Sequence, residues 1–273
     1  MPPRRHWSDL TTEDFKRPNV SDWIAVLPVA ATEQHGPHLP LSTDTIIAEG
    51  HIERTIERLP PNLPAVFLPT QAIAWSLEHV SSPGTLTLDW DTVTKVWLEI
   101  GACVARSGVR KLVIVNAHGG NVPIMDLVTR ELRVRHDMLA VATSWSRFGR
   151  PHGVFSEGER KFGIHGGDIE TSMVMAIRPD LVRLEHLADF ASAQMQYEKE
   201  FAHLRAYGPS QFGWKAQDLN PTGAIGAAIL ASAQKGEAAI DHAVNGFIEL
   251  LADVDAFSPD RLWRERRGPP GGA

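Results

Sequence analysis

The chain has 273 residues, 43% of them hydrophobic, and a formal net charge of −6 at pH 7, with basic residues scattered apart from a short RERR near the end. That balance argues against nucleic acid as the main partner, and a single cysteine, Cys103, excludes a disulfide framework and a cysteine-based zinc site. The opening MPPRRHWSDL lacks the apolar segment of a signal peptide, and no stretch approaches the roughly 18–20 apolar residues of a membrane span, so the expectation is a cytoplasmic protein without membrane contact.

In chain order, WIAVLPVAA (23–31), AVFLPT (65–70), KLVIV (111–115) and MLAVATSW (138–145) are the strand candidates. Their hydrophobicity is nearly continuous rather than alternating, which predicts strands covered on both faces. Between them run helical stripes: Ile52, Ile56 and Leu59; then Val93, Val96, Trp97, Ile100 and Val104, stopping near Gly108; then Ile124, Leu127, Val128 and Leu132. Ile240, Ala243, Val244, Phe247, Ile248 and Leu251 form a last stripe. The β-α-β-α rhythm predicts an α/β fold with a mainly parallel sheet between helical layers. One domain is expected over residues 1–260, followed by a flexible tail over 261–273.

Ligands of such sheets gather at the carboxyl ends of the strands. The polar motifs fall there: TEQHGPH after the first strand, NAHGGN (116–121) after the third, and HGGDIETS (165–172) before an apolar helical run. SLEHVSSPGT (76–85) is a fourth polar loop with a tight turn at Pro83-Gly84. Glu33 and His35 are two apart and share a side in extended backbone; Asp44 opens the next helix, with Thr43 as its cap candidate. His118 ends another strand and Glu170 begins a third element. Three carboxylates and two histidines in one pocket repel one another and lose hydration without a compensating charge, which divalent metal supplies. Five ligands exceed what one catalytic zinc takes, so two ions sharing a carboxylate is the arrangement these residues suggest. Taken singly, each residue has a plainer reading. Glu33 as a cap, Asp44 as a first-turn carboxylate, His38, His79 or His118 as hydrogen-bonded loop histidines, and HGGN as a glycine turn all stay open.

LPVAATEQHGPHLPLSTDT, VNAHGGN and HGGDIETSMVMAIRPDLV resemble the three signatures of the creatininase family, with SSPGTLTL and DLNPTGAIG resembling weaker ones. The resemblance spans residues 8 to 256. It implies an α/β/α sandwich, a two-ion centre of zinc or manganese with iron as a further candidate, hydrolysis of a C–N bond in a small amide or cyclic amide, and a homo-oligomer, most often a hexamer. It also implies Glu33, His35, Asp44 and His118 as metal ligands, Asp44 as the bridge, and His165 as the proton-transfer residue. The chain departs from the namesake enzyme at Gly119, where that enzyme has an aromatic residue, and at Gly120, where it has a glutamate; both point away from creatinine as substrate. Glu170 is the candidate for the missing carboxylate ligand, against a reading in which it only caps its helix, with Asp168 facing elsewhere.

The expected mechanism is hydrolysis by a metal-bridging water, with His165 passing a proton to the leaving nitrogen and the N–H groups of Gly119 and Gly120 approaching the substrate. Other family activities remain open: a peptidase, a deformylase, or a lactone or cyclic-ketone hydrolase. So do a non-hydrolytic isomerase or lyase and a silent member whose metals only hold loops.

Overall fold

The structure, a computed structural model, describes residues 1–263; the rest of the expected tail, 264–273, lies outside the described residues. Its centre is a sheet of β1 (Ile24–Val29), β2 (Ala65–Phe67), β3 (Lys111–Asn116) and β4 (Leu139–Ser144), in the order β2-β1-β3-β4 and parallel throughout. Ile24 stands opposite both Ala65 and Lys111, and Lys111 opposite Leu139. Helix α1 (Thr43–Arg58) follows β1, α2 (Trp90–Arg106) follows β2 and α3 (Val122–His136) follows β3. Further on come α4 (Glu157–Phe162), α5 (Asp168–Ile177), α6 (Gln194–Glu200), α7 (Ala216–Leu219) and α8 (Ala233–Ala256). A short antiparallel pair, β5 (Asp189–Phe190) and β6 (Gly226–Ala227), completes the architecture.

All six residues of β1 are buried, as the continuous apolar run requires, and their side chains alternate between two cores. Ala25, Leu27 and Val29 meet Val93, Trp97 and Val104 of α2 and Ile124, Val128 and Leu132 of α3. Ile24 and Val26 meet Ile52 of α1 and Ala243, Phe247 and Leu251 of α8 on the opposite face. Each large side chain so buried contributes roughly 1.5–3 kcal/mol. The result is the expected α/β/α sandwich. α5 lies against α8, where a Cβ at Gly236 would come within 1.9 Å of the Ser172 carbonyl oxygen and where Lys235 pairs with Asp168 at 2.6 Å.

The strands are shorter than their apolar runs: beyond β1, Ala30 and Ala31 remain fully buried, and beyond β2 a half-buried Leu68 packs against the core. Thr43 is not a cap: it is the first helical residue and its hydroxyl donates to the Pro40 carbonyl at 2.7 Å, while Ser42 occupies the cap position without a side-chain bond. From β1 the chain moves outward to β2 and then returns past β1 to β3 and β4, which creates a topological switch between β1 and β3. The loops after those two strands flank the crevice where such sheets bind ligands. Among the described residues no helix is long and apolar enough to cross a membrane.

Candidate metal centre

The loop after β1 folds back on itself: Gly36 takes a left-handed φ of 71° and Glu33 N–H donates to the Leu41 carbonyl at 3.0 Å. This turn brings Glu33 and His35 beside Asp44, the second residue of α1, and all three are buried. The turn after β3 is clamped by Asn116, whose amide N–H donates to the His118 carbonyl at 2.5 Å while its Oδ1 accepts from His118 N–H at 3.0 Å. Glu170 projects from the first turn of α5, and His165 is held by an antiparallel bridge to Ile225, in the DLNPTGAIG stretch.

These five expected ligand residues and His165 converge. The two oxygens of Asp44 face different imidazoles: Oδ1 is 3.2 Å from His35 Nε2, and Oδ2 is 3.4 Å from His118 Nδ1. Glu33 Oε1 lies 3.1 Å from His118 Nδ1, and Glu170 Oε2 lies 3.8 Å from His35 Nε2. The ligand atoms of Glu33, His35 and Asp44 fall within 4.8 Å of one another, as do those of His35, His165 and Glu170.

Backbone carbonyls set the tautomers. His35 Nδ1–H donates to the Glu33 carbonyl at 3.1 Å and His118 Nε2–H to the Trp75 carbonyl at 3.0 Å, so each turns its other nitrogen, which offers a lone pair once deprotonated, toward the carboxylates. Both Glu33 oxygens, Asp44 Oδ2 and His35 Nε2 are buried without a hydrogen-bond partner. No lysine or arginine among the described residues forms an ion pair with Glu33, Asp44 or Glu170. Buried carboxylates without a fixed cationic side chain are costly unless a proton or a metal ion neutralises them, so the donor set fits divalent metal.

The electrostatics agree. Burial alone would raise the Glu33 carboxyl, but the imidazoles, His118 foremost, hold it below the usual carboxylate range. Burial works against charged imidazole, yet Asp44 raises His35 to about 9 and Glu33 raises His118 to about 10. Burial pushes Glu170 up to about 7. In the metal-free protein, protons on His35 and His118 do the neutralising that cations would do.

Sequence reading passed over three further residues, and none of them carries a ligand pattern of its own. His79, for which the sequence left a loop-histidine reading open, lies 3.5 Å from Glu33 Oε1 through Nε2. Gln34 fixes its tautomer, because the side-chain oxygen of Gln34 accepts from Gly36 N–H at 2.9 Å and its amide nitrogen donates to His79 Nδ1 at 2.8 Å and to the Gly223 carbonyl at 3.0 Å. His79 therefore presents N–H, not a lone pair, to Glu33. His165 is the reverse case: Nε2–H donates to the Gln34 carbonyl at 2.6 Å, and the bare Nδ1 lies 3.7 Å from Glu33 Oε1. Burial and the neighbouring imidazoles hold His165 well below the ordinary histidine range, which keeps it neutral. Glu78 approaches His118 Nε2 at 3.5 Å and fills the space over Gly120, where a Cβ would meet Glu78 Oε1 and His118 Nε2 at 2.5 Å each.

Gly119 lines the cavity beside His118, with nothing within 4 Å of where its Cβ would be; Gly120 instead packs under Glu78 and His118. Glu170 also accepts from Gly166 N–H at 2.6 Å, so it braces the loop preceding its helix while facing His35. Asp168 turns away to Lys235 and Ser172. His38 is structural, with Nε2 2.9 Å from the Gly166 carbonyl and burial lowering it to about 4. The cavity over these groups has a volume of about 530 Å³.

The family model for creatininase, described as creatinine amidohydrolase, matches residues 8–251. The chain is 30% identical to the creatinine amidohydrolase of Pseudomonas putida over 262 residues, 90% of this chain and 95% of that protein. It is 30% identical to the mycofactocin precursor peptide peptidase of Mycolicibacterium smegmatis over 241 residues, 87% of each. A solved structure of manganese creatininase superposes with a TM-score of 0.73 at 29% identity, covering 91% of this chain and 98% of that one.

Proposed function

The chain belongs to the creatininase family of hydrolases, and on that premise we propose that it cleaves a C–N bond in a small amide or cyclic amide using two divalent ions, zinc or manganese. The observation that carries this reading is the placement of Asp44, whose two oxygens face two separate donor sets. Glu33 and His118 would complete the set for one ion, His35 and Glu170 the set for the other, with Asp44 shared. Such cations supply Lewis-acid polarisation of a carbonyl and of water.

The chain's own residues then handle orientation and protons. Gln34 and the backbone carbonyls hold four imidazoles in defined tautomers, so donors and acceptors are set before substrate arrives. His165, which lines the cavity, is held neutral and keeps Nδ1 free of a hydrogen-bond donor, takes a proton from the attacking water and passes it to the leaving nitrogen. Gly119 leaves room for the substrate to lie against the backbone.

Elemental analysis tests the reading: about two ions per chain are expected after purification without chelator and reloading, and Asp44→Ala should lose most of both. A content of one ion, or an Asp44→Ala protein that keeps both, would refute it. A panel of formamides, lactams and short peptides then finds the bond. We also propose assembly into a homo-oligomer, a hexamer by family resemblance, supported by the exposed apolar residues Leu77, Val80, Leu86 and Trp90 that lie close together in the chain. A monomer by light scattering at micromolar concentration would overturn it.

A further inference from the structure

We propose that the cavity takes an amide that also carries a carboxylate, and that Arg150 binds that carboxylate. The inference rests on the hydrolase reading for the identity of the reacting bond. One part of the cavity wall is the cluster already described, with His118, His165 and Glu170; another part carries Arg147, Arg150 and Arg160. Arg147 and Arg160 are exposed, while Arg150 is half-buried.

Arg150 is poorly served by its own chain. Its hydrogen bond is to the Gly149 carbonyl, at a long 3.4 Å, and among the described residues it has no ion pair. Neither nearby acid forms an ion pair with it. Glu159, which also lines the cavity, spends its oxygens on the N–H groups of Ile169 at 3.2 Å and Ala227 at 2.9 Å. Glu170 braces Gly166 and faces His35. Desolvation depresses the Arg150 guanidinium, with Glu170 and Glu159 only partly opposing it. A desolvated, unpaired guanidinium in a cavity is an unmet demand for an anion. Its planar fork matches a carboxylate, through two parallel N–H···O bonds. The exposed Arg147 and Arg160 draw an anion inward at longer range. A substrate anchored in this way at one end presents its amide to the metal-ligating wall. The chemical class that follows is a small carboxylated amide, such as an N-acylated amino acid or the terminal residue of a short peptide.

Succinamate and succinamide test this, since they share a shape and differ by one charge. Each is titrated calorimetrically into the protein as purified and after reloading with zinc. Succinamate should bind at least about 10-fold more tightly. Arg150→Gln should erase the preference and Arg150→Lys should retain part of it. Equal affinity for the two ligands, binding of neither, or a preference that survives in Arg150→Gln would overturn the proposal; the last outcome assigns the carboxylate to the cations. Turnover does not enter this measurement. A protein that shows the Arg150-dependent preference yet hydrolyses no amide keeps the anion site and loses the hydrolase reading, and an active hydrolase without the preference does the reverse.

Discussion

Loading the site with metal should expel protons, and their number follows from the geometry. His35 Nε2 and His118 Nδ1 are the nitrogens turned toward the carboxylates, and both imidazoles are raised, to about 9 and about 10. Both therefore carry a proton at pH 7 in the metal-free protein, and each must lose it to offer a lone pair. Burial raises Glu170 as well, so it gives up part of a further proton. Full loading at pH 7 should thus release about two protons, chiefly from the histidines. The sign is fixed: the free state holds the protons and the bound state does not, so affinity rises with pH. Two protons imply a gain of about 100-fold per pH unit near neutrality, levelling off as pH passes 9 to 10. Calorimetry in buffers of different ionisation enthalpy counts the protons directly. Release of fewer than about one proton per chain, or an affinity flat between pH 6 and 8, would refute the reasoning. The same shifts act on the metal-free fold. A histidine raised in the folded state contributes stability in full below its unfolded value of about 6.5, and that contribution is lost as pH rises through the folded value. Metal-free protein should therefore unfold more readily in urea at pH 10 than at pH 7, and metal-loaded protein should lose less.

Three further outcomes are expected. His165→Ala should lower turnover by roughly 10²–10⁴ while metal content by elemental analysis stays nearly intact; parallel loss of metal would make His165 a ligand. Glu170→Gln should weaken one ion by roughly 10-fold or more in competition with a chromogenic chelator, and equal affinity for both ions in that variant would sink the assignment. Gly236→Ala should destabilise the fold by more than about 2 kcal/mol in denaturant titration, because the new methyl would lie 1.9 Å from the Ser172 carbonyl oxygen and α8 would have to back away from α5; an unchanged midpoint would contradict that packing.

The sandwich was legible because continuous apolar runs and 3.6-residue stripes are local, and a strand such as Ile24–Val29 has no alternative to burial on both faces. Part of the site was legible for the same reason. Glu33, His35 and Asp44 lie within one short stretch whose turn brings them together, and His118 leaves a strand end whose position follows from the sheet. His79, Gln34 and Glu78 carry no such pattern. His79 and Glu78 reach the cluster because the order β2-β1-β3 sets the segment after β2 against the loops of β1 and β3, while Gln34, although it sits between Glu33 and His35, acts only through partners distant in the chain, His79 and Gly223. Which histidine offers a lone pair and which an N–H is likewise undecided in the sequence, since the partners are the Trp75 carbonyl and the Gln34 backbone and side chain, distant in the chain from His118, His79 and His165. Arg150 is the extreme case: in the sequence it is one of many scattered basic residues, and only the folded wall of the cavity leaves its guanidinium half-buried with no acid of its own to meet it.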